Sequence, residues 1–578
     1  MKRMKMNEKL GLVLVTAAAA ALFVFLYMDS RIPIEEPGNP GETSSLGSWD
    51  ITASAANGVG LHEDKGIYEQ DSNIYDVYIS VFPTKNDAGE MIDLSAFALH
   101  SAREHSYNPV LNCNIQILPE GQKPDPLLDL DHKNATIRVR GNSSRGASYK
   151  SYKVKLEEEA GTFLGQKNLN INKHAGDVSK ISTKLQTDLL AQMDDIASYR
   201  TYYMRLWIRD ASLPEEDQEF VYYGLYTELE QPNKTYLEAR GLSSNAAMYK
   251  ASDFSFAPND ALKNVDDPAY SKEEFETVLA IREGTDHEKL LTMLADVNDT
   301  TRDFGEIFET YFDEDNYLTW LAFNLLMGNE DIINHNYIIY SPENALSWYF
   351  IPWDFDGALR FGEYRSTYSQ PDSLRGIQTL NTGILHRRYF RMEGSIDKLD
   401  DKMQELLDTV ITRERVNGLI DSYKPVLEKT MPLYPDIDLL DMSPAELIPY
   451  IDGIYDGIMD NYEAFRNALE YPAPMFVSMP EQRTDGTVRF VWDASYSYQG
   501  RPVTYSVRVY EDPHMQNLIL EQTGIEQTEY ISEIRLPAGM YYLKVTAVDS
   551  QGNEQLSLEH VDGDGLFVFG LMEFEIGR

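Results

Sequence analysis

Four polar residues in one short stretch of the chain are of the types that bind metal ions and move protons. Asp331 is followed five positions later by Asn336, and Asp354 and Asp356 come after two short apolar stretches. Carboxylate and amide oxygens are the ligands that Mg²⁺ prefers, and a carboxylate in a polar loop can accept a proton from a hydroxyl group. These residue types fit metal-assisted phosphoryl transfer, in which hard cations offset charge that spreads over oxygen atoms. Asp and Asn are also common in turns, so the same residues could simply cap loops.

The surrounding segments predict the elements that would hold these residues in place. Asn316–Met327 is rich in large apolar residues and predicts a helix, with Asp313 or Asp315 as its cap and the following glycine as its end. The apolar stretches Tyr337–Tyr340 and Trp348–Pro352, separated by a turn, predict a β-hairpin. The order is helix, loop with Asp and Asn, hairpin and then Asp, which is the order found in protein kinases.

Patterns further upstream predict the rest of an α+β domain. Strands are indicated where apolar and polar residues alternate, and a helix where leucines recur at helical spacing. The predicted strands are Tyr75–Val81, Thr136–Arg140, Tyr152–Leu156, Arg200–Ile208 and Glu219–Leu229, and the predicted helix is Ser182–Met193. Strands followed by helices are typical of the α+β class.

Several stretches together resemble the CotH (spore coat protein H) kinase family. The segments NEDIINHNYIIY and PWDFDGALRFG, both within Asn329–Gly362, are similar to the family's most recognisable region. Arg140–Leu156 (RGNSSRGASYKSYKVKL) is similar to its Arg-Gly-Asn-Ser loop and Lys-rich strand. Leu169–Asn172 (LNIN) and Tyr223–Glu230 (YGLYTELE) also fit, and the matches follow the order of the family.

The resemblance implies an atypical, much-reduced kinase fold that uses ATP as co-substrate and Mg²⁺ or Mn²⁺ to phosphorylate proteins, spore coat components among them. By this resemblance Asp331 is the catalytic Asp, Asn336 is a metal ligand and Asp354 is the principal metal ligand. Asp356, two residues further on, could share the metal. The fold class expected is therefore α+β, with an atypical protein-kinase-like domain.

The resemblance also implies where ATP binds. The expected ATP-binding residues are Arg140, Gly141, Asn142, Ser143, Lys150, Lys153 and Glu230. Alternation along the strand turns Tyr152, Val154 and Leu156 toward the core and leaves Lys153 and Lys155 on the other face, where they could also form a merely solvated basic surface. Glu230 could pair with a lysine, lie near the nucleotide base, or be a surface residue.

The composition limits the classes of partner. The net charge is −42, from 93 acidic and 51 basic residues, and such a charge repels the phosphate backbone of nucleic acids. A local basic pocket with a metal ion can still bind ATP. Because Cys113 is the only cysteine, the chain can form neither an internal disulfide nor a cysteine-based zinc cluster, and we expect this residue to be a small buried hydrophobe.

The N-terminus predicts a membrane anchor. Four basic residues precede the apolar run Leu10–Tyr27, which is about long enough to span a bilayer. The basic end should stay in the cytoplasm, so that a single-pass protein of a bacterial cell membrane exposes the rest of its chain outside. Residues 1–30 would be the cytoplasmic stub and anchor, and residues 31–70, in which Pro33–Ser48 is rich in Pro, Gly, Ser and Glu, a flexible linker.

The last hundred residues differ from the rest. Val488–Trp492, Val503–Tyr510 and Tyr541–Val548 alternate between apolar and polar residues and are separated by turns. They resemble a fibronectin type III or immunoglobulin-like β-sandwich, with Trp492 in its core and Tyr541 at its corner. We therefore expect a kinase domain at residues 71–471 and a sandwich at residues 472–578.

The function expected is phosphoryl transfer from ATP to a protein substrate on the cell or spore surface, with no role in nucleic-acid binding. One alternative is a catalytically inactive, kinase-like surface scaffold or adhesion protein. Another is a metal-dependent hydrolase that uses Asp354, Asp356 and His335, although the chain has no second histidine cluster and no HExxH motif.

The anchor leads to a direct test. A cleaved signal peptide needs small residues at the end of its apolar run, but Leu22–Met28 is bulky (LFVFLYM). We therefore expect N-terminal sequencing of the protein in the membrane fraction to find an uncleaved start. A mature start between Ala21 and Ser48 would contradict the anchor.

Overall fold

Strands dominate the first part of the chain and helices the part that follows, in a computed structural model that describes residues 61–69, 74–100, 107–124, 132–141, 143–173, 176–329, 331–364, 371–563 and 566–577. The chain divides into two units, one of Ala56–Tyr368 and Asp372–Tyr471 and the other mainly of Pro472–Arg578. The α+β class is confirmed. The predicted anchor at Leu10–Tyr27 and most of the predicted linker lie outside the described residues. Within the described ranges, no helix is both long enough and apolar enough to cross a membrane.

The strands are numbered in chain order. They are β1 Ile74–Val81, β2 Thr84–Lys85, β3 Met91–Ile92, β4 Leu111–Pro119, β5 Ala135–Arg140, β6 Ser151–Leu156, β7 Asn168–Asn172, β8 Thr201–Asp210, β9 Val221–Glu230, β10 Ala246–Ala251, β11 Leu279–Glu283, β12 Tyr337–Pro342, β13 Tyr349–Pro352, β14 Glu481–Gln482, β15 Val488–Val491, β16 Val503–Tyr510, β17 Leu518–Ile525, β18 Glu529–Ile531, β19 Gly539–Asp549, β20 Glu554–Leu556, β21 His560–Gly563, β22 Leu566–Phe569 and β23 Met572–Ile576.

The helices of the described residues belong to the larger unit. They are α1 Ser182–Leu190, α2 Lys234–Ala239, α3 Lys272–Val278, α4 Glu288–Asn298, α5 Phe304–Tyr311, α6 Glu314–Met327, α7 Ile377–Leu380, α8 Ile384–Tyr389, α9 Ser395–Thr409, α10 Arg413–Thr430, α11 Pro444–Asp452 and α12 Ile454–Ala468. The predicted helix at Ser182–Met193 is confirmed as α1, which ends three residues earlier than expected. The predicted helix at Asn316–Met327 is confirmed as α6.

Seven strands close into a barrel in the order β1, β4, β5, β6, β7, β9, β8. Neighbours are antiparallel except β1 and β8, which are parallel, with Val77 opposite Leu206. The inward residues of each strand alternate with outward ones, so the barrel interior is a packed apolar core. It contains Ile79, Cys113, Val139, Val154, Ile171 and Met204 among others. The expectations that Cys113 is buried and that Tyr152, Val154 and Leu156 face the core are confirmed.

A second sheet follows the barrel, with the strand order β11, β10, β12, β13. Its β12–β13 pair is the predicted hairpin. Helix α6 packs against it, because the side-chain oxygen of Asn316 accepts a hydrogen bond of 2.6 Å from the Phe350 amide in β13. Asp313 caps α6 by accepting from the Asn316 amide at 2.9 Å, so Asp315 is not the cap. Gly328 ends the helix in the left-handed conformation, with φ of 65°.

The smaller unit is a β domain of two main sheets. One has the order β14, β15, β18, and the other has β17, β16, β19, β20, with β23 also paired to β19. Trp492 is buried in the core, 5.4 Å from Tyr505 between ring centroids. The Tyr541 hydroxyl donates to the Pro537 carbonyl at 2.9 Å. The expectation that Trp492 is in the core of this domain is therefore confirmed, and the sandwich family stays a prediction.

A buried ion pair joins the barrel to the segment after α10. The Lys173 ammonium lies 2.7 Å from the Asp436 carboxylate, and both side chains are almost fully buried. The amide of Leu225 also donates to Asp436 at 2.9 Å. A methyl group on Gly224, which has φ of +99°, would overlap both charged groups. Glycine is thus required at this position by both the backbone conformation and the space.

We expect Gly224→Ala to lower the free energy of unfolding by about 3 kcal/mol, since it strains the backbone and separates a buried ion pair. Gly241→Ala is the matched control, because Gly241 also has positive φ (+71°) but has no atom within 4 Å of the added methyl group. The control should cost only about 1–2 kcal/mol. Urea denaturation of the two variants beside the wild type measures the difference, and equal losses would show that the ion pair tolerates the methyl group.

Candidate active site

The loop after α6 holds Asp331 in a defined position. Asn329 donates from its side chain to Asn324 Oδ1 at 3.0 Å, and its own Oδ1 lies 3.4 Å from the Asp331 amide. A methyl group on Gly357 would lie 3.5 Å from Asp331 Cβ, so the segment that carries Gly357 passes directly beside Asp331. The loop is therefore held by contacts with α6 on one side and with the segment that carries Gly357 on the other.

The Asp331 carboxylate has two partners within its own loop. Its Oδ1 lies 2.7 Å from His335 Nε2, and its Oδ2 accepts a hydrogen bond of 2.7 Å from Asn336 Nδ2. About half of the Asp331 side chain remains exposed. The carboxylate is thus oriented by the protein but still open to a ligand.

His335 is held between two oxygen acceptors. Asn334 donates from Nδ2 to the Asp253 carboxylate at 2.6 Å, which turns its Oδ1 toward His335 Nδ1, also at 2.6 Å. With Asp331 at Nε2, both ring nitrogens must donate, and this requires the protonated imidazole. Burial alone would lower the pKa of His335, but Asp331 outweighs it and the pKa is raised.

The hairpin brings Asp354 to Asn336. Tyr337 pairs with Pro352, and the Trp353 amide donates to the Asn336 carbonyl at 3.2 Å. Asn336 and Asp354 both adopt the left-handed conformation, with φ of 62°. The strand register therefore sets two residues that are eighteen positions apart in sequence at the same end of one hairpin.

Helix α1 fixes the backbone between Asp354 and Asp356. The carbonyl of Phe355 accepts from Ser182 Oγ at 2.6 Å and from Gln186 Nε2 at 3.0 Å. The start of α1 is itself fixed by Asp177, which accepts from the Ser182 amide at 2.9 Å. These hydrogen bonds attach the segment with Asp354 and Asp356 to helix α1, which packs against the barrel.

Asp356 lies near several other carboxylates. Burial raises the pKa of Asp356 well above its usual range, and Asp354, Asp177 and Asp331 raise it further, while Arg360 opposes them. A cation between these carboxylates would relieve the repulsion. In the part of the chain that the structure describes, however, no three His, Cys, Asp or Glu side chains form a ready metal cluster. Any metal ion held by Asp354 and Asn336 must therefore complete its shell with water or phosphate oxygens, as Mg²⁺ commonly does.

Four cations converge on the same region from two sheets. Arg140 of β5 and Lys153 of β6 lie on the outer face of the barrel, whereas Lys250 and Arg282 come from β10 and β11. The Lys250 ammonium lies 5.8 Å from the ring centroid of Trp353, the residue before Asp354.

The pKa values of all four groups are lowered. Burial lowers the pKa of Arg140 to about 10 and that of Lys153 to about 8, and Arg282 adds to both effects. Burial also lowers the pKa of Lys250, while Asp354 acts in the opposite direction on both Lys250 and Arg140. The cations thus lie close enough to repel one another and to attract Asp354.

Within the described residues, these cations have no carboxylate counter-ion. Among the described residues, no carboxylate lies within ion-pair distance of Arg140, Lys250 or Arg282, and the buried Arg282 Nε has no hydrogen-bond partner. Lys153 donates only to Gln231 Oε1, at 3.2 Å. In a chain with 93 acidic residues, partly buried cations that no described carboxylate pairs indicate a site for an anion. A polyphosphate is an anion with enough charge to interact with several of them.

The other residues predicted to bind ATP include four in or near the turn after β5. Gly141 has φ of +95° and turns the chain after β5, and Ser143 begins a short 3₁₀ helix at Ser143–Gly146. Asn142 lies outside the described residues. Lys150 is buried and donates to the Arg145 carbonyl at 2.6 Å, so its ammonium closes the loop.

Glu230 makes no ion pair with any of these four cations, because it is paired with two other arginines. It is buried, with Arg200 at 2.6 Å and Arg240 at 2.5 Å on its two oxygens. Burial opposes its ionisation, but Arg240 and Arg200 outweigh this and lower its pKa. The expectations of a lysine partner or a surface position are therefore wrong. The arginines lie thirty positions before and ten positions after Glu230, so no local pattern indicates them.

Lys250 and Arg282 are not predicted from the sequence, and neither are Ser182 and Gln186, which hold the Phe355 carbonyl. The only local indication of Lys250 is a single charge in an otherwise uncharged strand, AAMYKA. Its importance follows from the pairing of β10 with β12, which places Lys250 opposite Ile338, two residues after Asn336.

Comparisons with known proteins identify the family of the chain. The profile of the family described as CotH kinase protein matches residues 137–438, more than half of the chain. The chain therefore belongs to the CotH kinase family and is an atypical protein kinase, a class whose co-substrate is ATP.

A solved structure, the Helicobacter pylori proinflammatory kinase CtkA, is similar at 13% identity with a TM-score of 0.24. The match covers 56% of this chain and 93% of that one. No curated protein matches the sequence.

The unpaired cations give a prediction. We expect Lys250→Met and Arg282→Met each to weaken binding of a non-hydrolysable ATP analogue at least about tenfold, since each removes a charged hydrogen-bond donor. Neither substitution should lower the midpoint of urea denaturation, because each removes a buried charge that no described carboxylate pairs. Lys155→Met, at an exposed lysine of β6, is the control and should bind normally. Calorimetric titration measures the affinities, and unchanged binding in both variants would contradict a polyphosphate site.

Proposed function

We propose that this enzyme transfers the γ-phosphoryl group of ATP to a hydroxyl group of a protein substrate, with Mg²⁺ or Mn²⁺ as the metal. The observation that carries the proposal is the convergence of Asp331, Asn336 and Asp354 at one end of the β12–β13 hairpin, near four cations that no described carboxylate pairs. Acidic residues for a metal and basic residues for phosphates are the two parts that phosphoryl transfer requires.

Asp354 and Asn336 are the proposed metal ligands. The Asn336 Nδ2 group is bonded to Asp331, which leaves Oδ1 as the ligand atom of the amide. Asp356 is the proposed additional acidic group, because its raised pKa reflects the same concentration of negative charge. A bound divalent ion would supply the positive charge that offsets the β- and γ-phosphate oxygens.

Asp331 is the proposed proton acceptor. The substrate oxygen forms a bond to the γ-phosphorus, the bond to the bridging oxygen of ADP breaks, and the hydroxyl proton passes to Asp331. His335 and Asn336 orient the carboxylate, each at 2.7 Å. The raised pKa of His335, for which Asp331 is responsible, supports a cationic imidazole beside this carboxylate.

Arg140, Lys153, Lys250 and Arg282 are the proposed phosphate ligands. Their positions on the outer face of the barrel and on the second sheet support contact with successive phosphates. Lys150, whose ammonium is bonded within its loop, would act by shaping the turn that contains Gly141 and Ser143.

The location and partners are also part of the proposal. The basic, apolar N-terminus supports an anchored protein whose kinase domain lies outside the cell, with a protein of the cell or spore surface as acceptor. The buried Trp492 and the Tyr541–Pro537 hydrogen bond support a fibronectin type III or immunoglobulin-like identity for the C-terminal β domain.

Substitution of Asp331 and of Asp354 should have different effects on phosphoryl transfer and on ATP binding. Asp331→Asn should lower transfer by about 10²–10⁴-fold and leave metal-dependent binding of an ATP analogue largely intact, because it acts on the hydroxyl proton. Asp354→Asn should abolish both transfer and metal-dependent binding, because it removes a metal ligand. Calorimetric titration beside a transfer assay with labelled ATP separates the two effects.

Asp401→Asn, at an exposed position of α9, is the matched control and should behave like the wild type. Transfer at the wild-type rate in both active-site variants would refute the assignment of this site. Equal loss of binding in both would show that Asp331 contributes to the metal site rather than to proton transfer.

A further inference from the structure

The outward-facing side chains of strands β5, β6 and β7 include four cations and no carboxylate. Along each of these strands every second residue belongs to the barrel core, so the residues between them face outward. They are Thr136, Arg138, Arg140, Ser151, Lys153, Lys155, Asn168, Asn170 and Asn172. We refer to them as the β5–β7 face. In a chain with 93 acidic residues, three adjacent strands of this composition form an unusual concentration of positive charge.

Within the described residues, the cations of the β5–β7 face have no acidic partner. Neither Arg138 nor Lys155 forms an ion pair with a described residue, and the same holds for Arg140 and Lys153. Burial lowers the pKa of Lys153 to about 8, with further contributions from Arg138, Arg140, Arg282 and Lys155. All of these neighbours are cations, so the face is suited to a ligand with several negative charges.

The β5–β7 face continues the phosphate site proposed above. Arg140 lies at the end near the acidic residues, since Asp354 acts on its pKa. Arg138 pairs with Lys153 in the next row, and Lys155 is in the row beyond it. At about 3.3 Å per residue, the distance along the strands from Arg140 to the row of Lys155 is about 13 Å. The positive charge therefore extends along the barrel beyond the two cations of this face that are assigned to ATP.

The side chains of the face limit the class of anion that fits it. An acidic protein segment would need apolar or aromatic contacts for most of its binding energy. Single-stranded nucleic acid would need aromatic side chains on which its bases can stack. Every outward residue of the three strands is arginine, lysine, asparagine, serine or threonine. Such a face supplies only charge and hydrogen bonds, which are what a chain of phosphates requires.

The net charge of −42 does not exclude such a ligand. At physiological ionic strength, exposed charges more than about 8 Å apart are largely screened from one another. The field near the β5–β7 face is therefore set mainly by its own cations, and carboxylates on distant parts of the chain have little effect on a ligand bound there.

We propose that the β5–β7 face binds linear polyphosphate, a chain of phosphates longer than that of ATP, and presents its terminal phosphate to the acidic residues as a second phosphoryl donor. The proposal rests on the proposed function, because it uses the same transfer site. The oxygen of the acceptor hydroxyl bonds to the terminal phosphorus, and the bond from that phosphorus to the bridging oxygen breaks. The shortened polyphosphate keeps the bridging oxygen, and the hydroxyl proton passes to Asp331.

The length of the phosphate chain tests the binding site. Calorimetric titration of the full chain, at one fixed Mg²⁺ concentration, compares long-chain polyphosphate with tripolyphosphate, which has no more phosphates than ATP. The long chain should bind at least about tenfold more tightly, because it reaches the additional cations. Arg138→Met with Lys155→Met should remove most of this advantage and leave the affinity for a non-hydrolysable ATP analogue unchanged.

Lys85→Met with Lys123→Met is the matched control. It removes the same charge at two exposed lysines that lie outside the β5–β7 face and form no ion pair with a described residue. Polyphosphate binding should stay at the wild-type level in this variant. Polyglutamate and a single-stranded oligonucleotide of similar charge measure selectivity, and both should bind at least about tenfold more weakly than long-chain polyphosphate.

Labelled polyphosphate tests the role as a donor. The full chain is incubated with Mg²⁺, an acceptor protein and polyphosphate that carries labelled phosphate, in parallel with γ-labelled ATP. Both donors should label the acceptor. Arg138→Met with Lys155→Met should raise the KM for polyphosphate about tenfold and leave the KM for ATP unchanged.

Equal affinity for long-chain polyphosphate and tripolyphosphate, or equal binding of the long chain by this double variant and the wild type, would overturn the site. Polyglutamate or oligonucleotide binding as tight as that of polyphosphate would overturn the assignment of its ligand. Labelling from ATP but not from polyphosphate would overturn the donor role. Binding that depends on the β5–β7 face, with no labelling from either donor, would support the site and contradict the proposed function.

Discussion

Mutual repulsion among carboxylates is the constraint on which the rest of this site depends. Asp354, Asp177 and Asp331 all raise the pKa of Asp356, whose burial raises it first. The fold nevertheless forces these groups together, through the Phe355 carbonyl bonded to α1 and through the hairpin register. Such an arrangement costs stability, and a cation between the carboxylates, as in the metal-assisted transfer proposed above, would reduce that cost.

Positive charges are concentrated close to these carboxylates in the same unit. The outer face of the barrel and the second sheet supply cations that have no protein counter-ion among the described residues, Lys250 and Arg282 included. The barrel interior is packed with apolar side chains, so only its outer face is available for a ligand. Membership of the CotH kinase family and the division of charge between the two surfaces therefore support the same conclusion. Helix α1 links the two parts, because it packs near the barrel and holds the acidic segment.

Local patterns were enough to predict the hairpin, the helix before it and most barrel strands, because each depends on alternation or on a cap within a few residues. Closure of the barrel could not be predicted, since β1 pairs in parallel with β8 more than a hundred residues later. Lys250 was missed for the same reason, because only the sheet order brings it near Trp353. Glu230 was misjudged because its partners, Arg200 and Arg240, are determined by tertiary packing.

The central claim is that this site moves the terminal phosphoryl group of ATP, and the position of the label in ATP tests it most directly. The full chain is incubated with Mg²⁺ or Mn²⁺, an acceptor protein and ATP labelled either at the γ-phosphate or at the α-phosphate. Incorporation of the γ-label alone, lost in Asp354→Asn, is the result that this account predicts. Incorporation of the α-label would mean transfer of a nucleotide instead, and together with an absence of γ-label it would contradict the account.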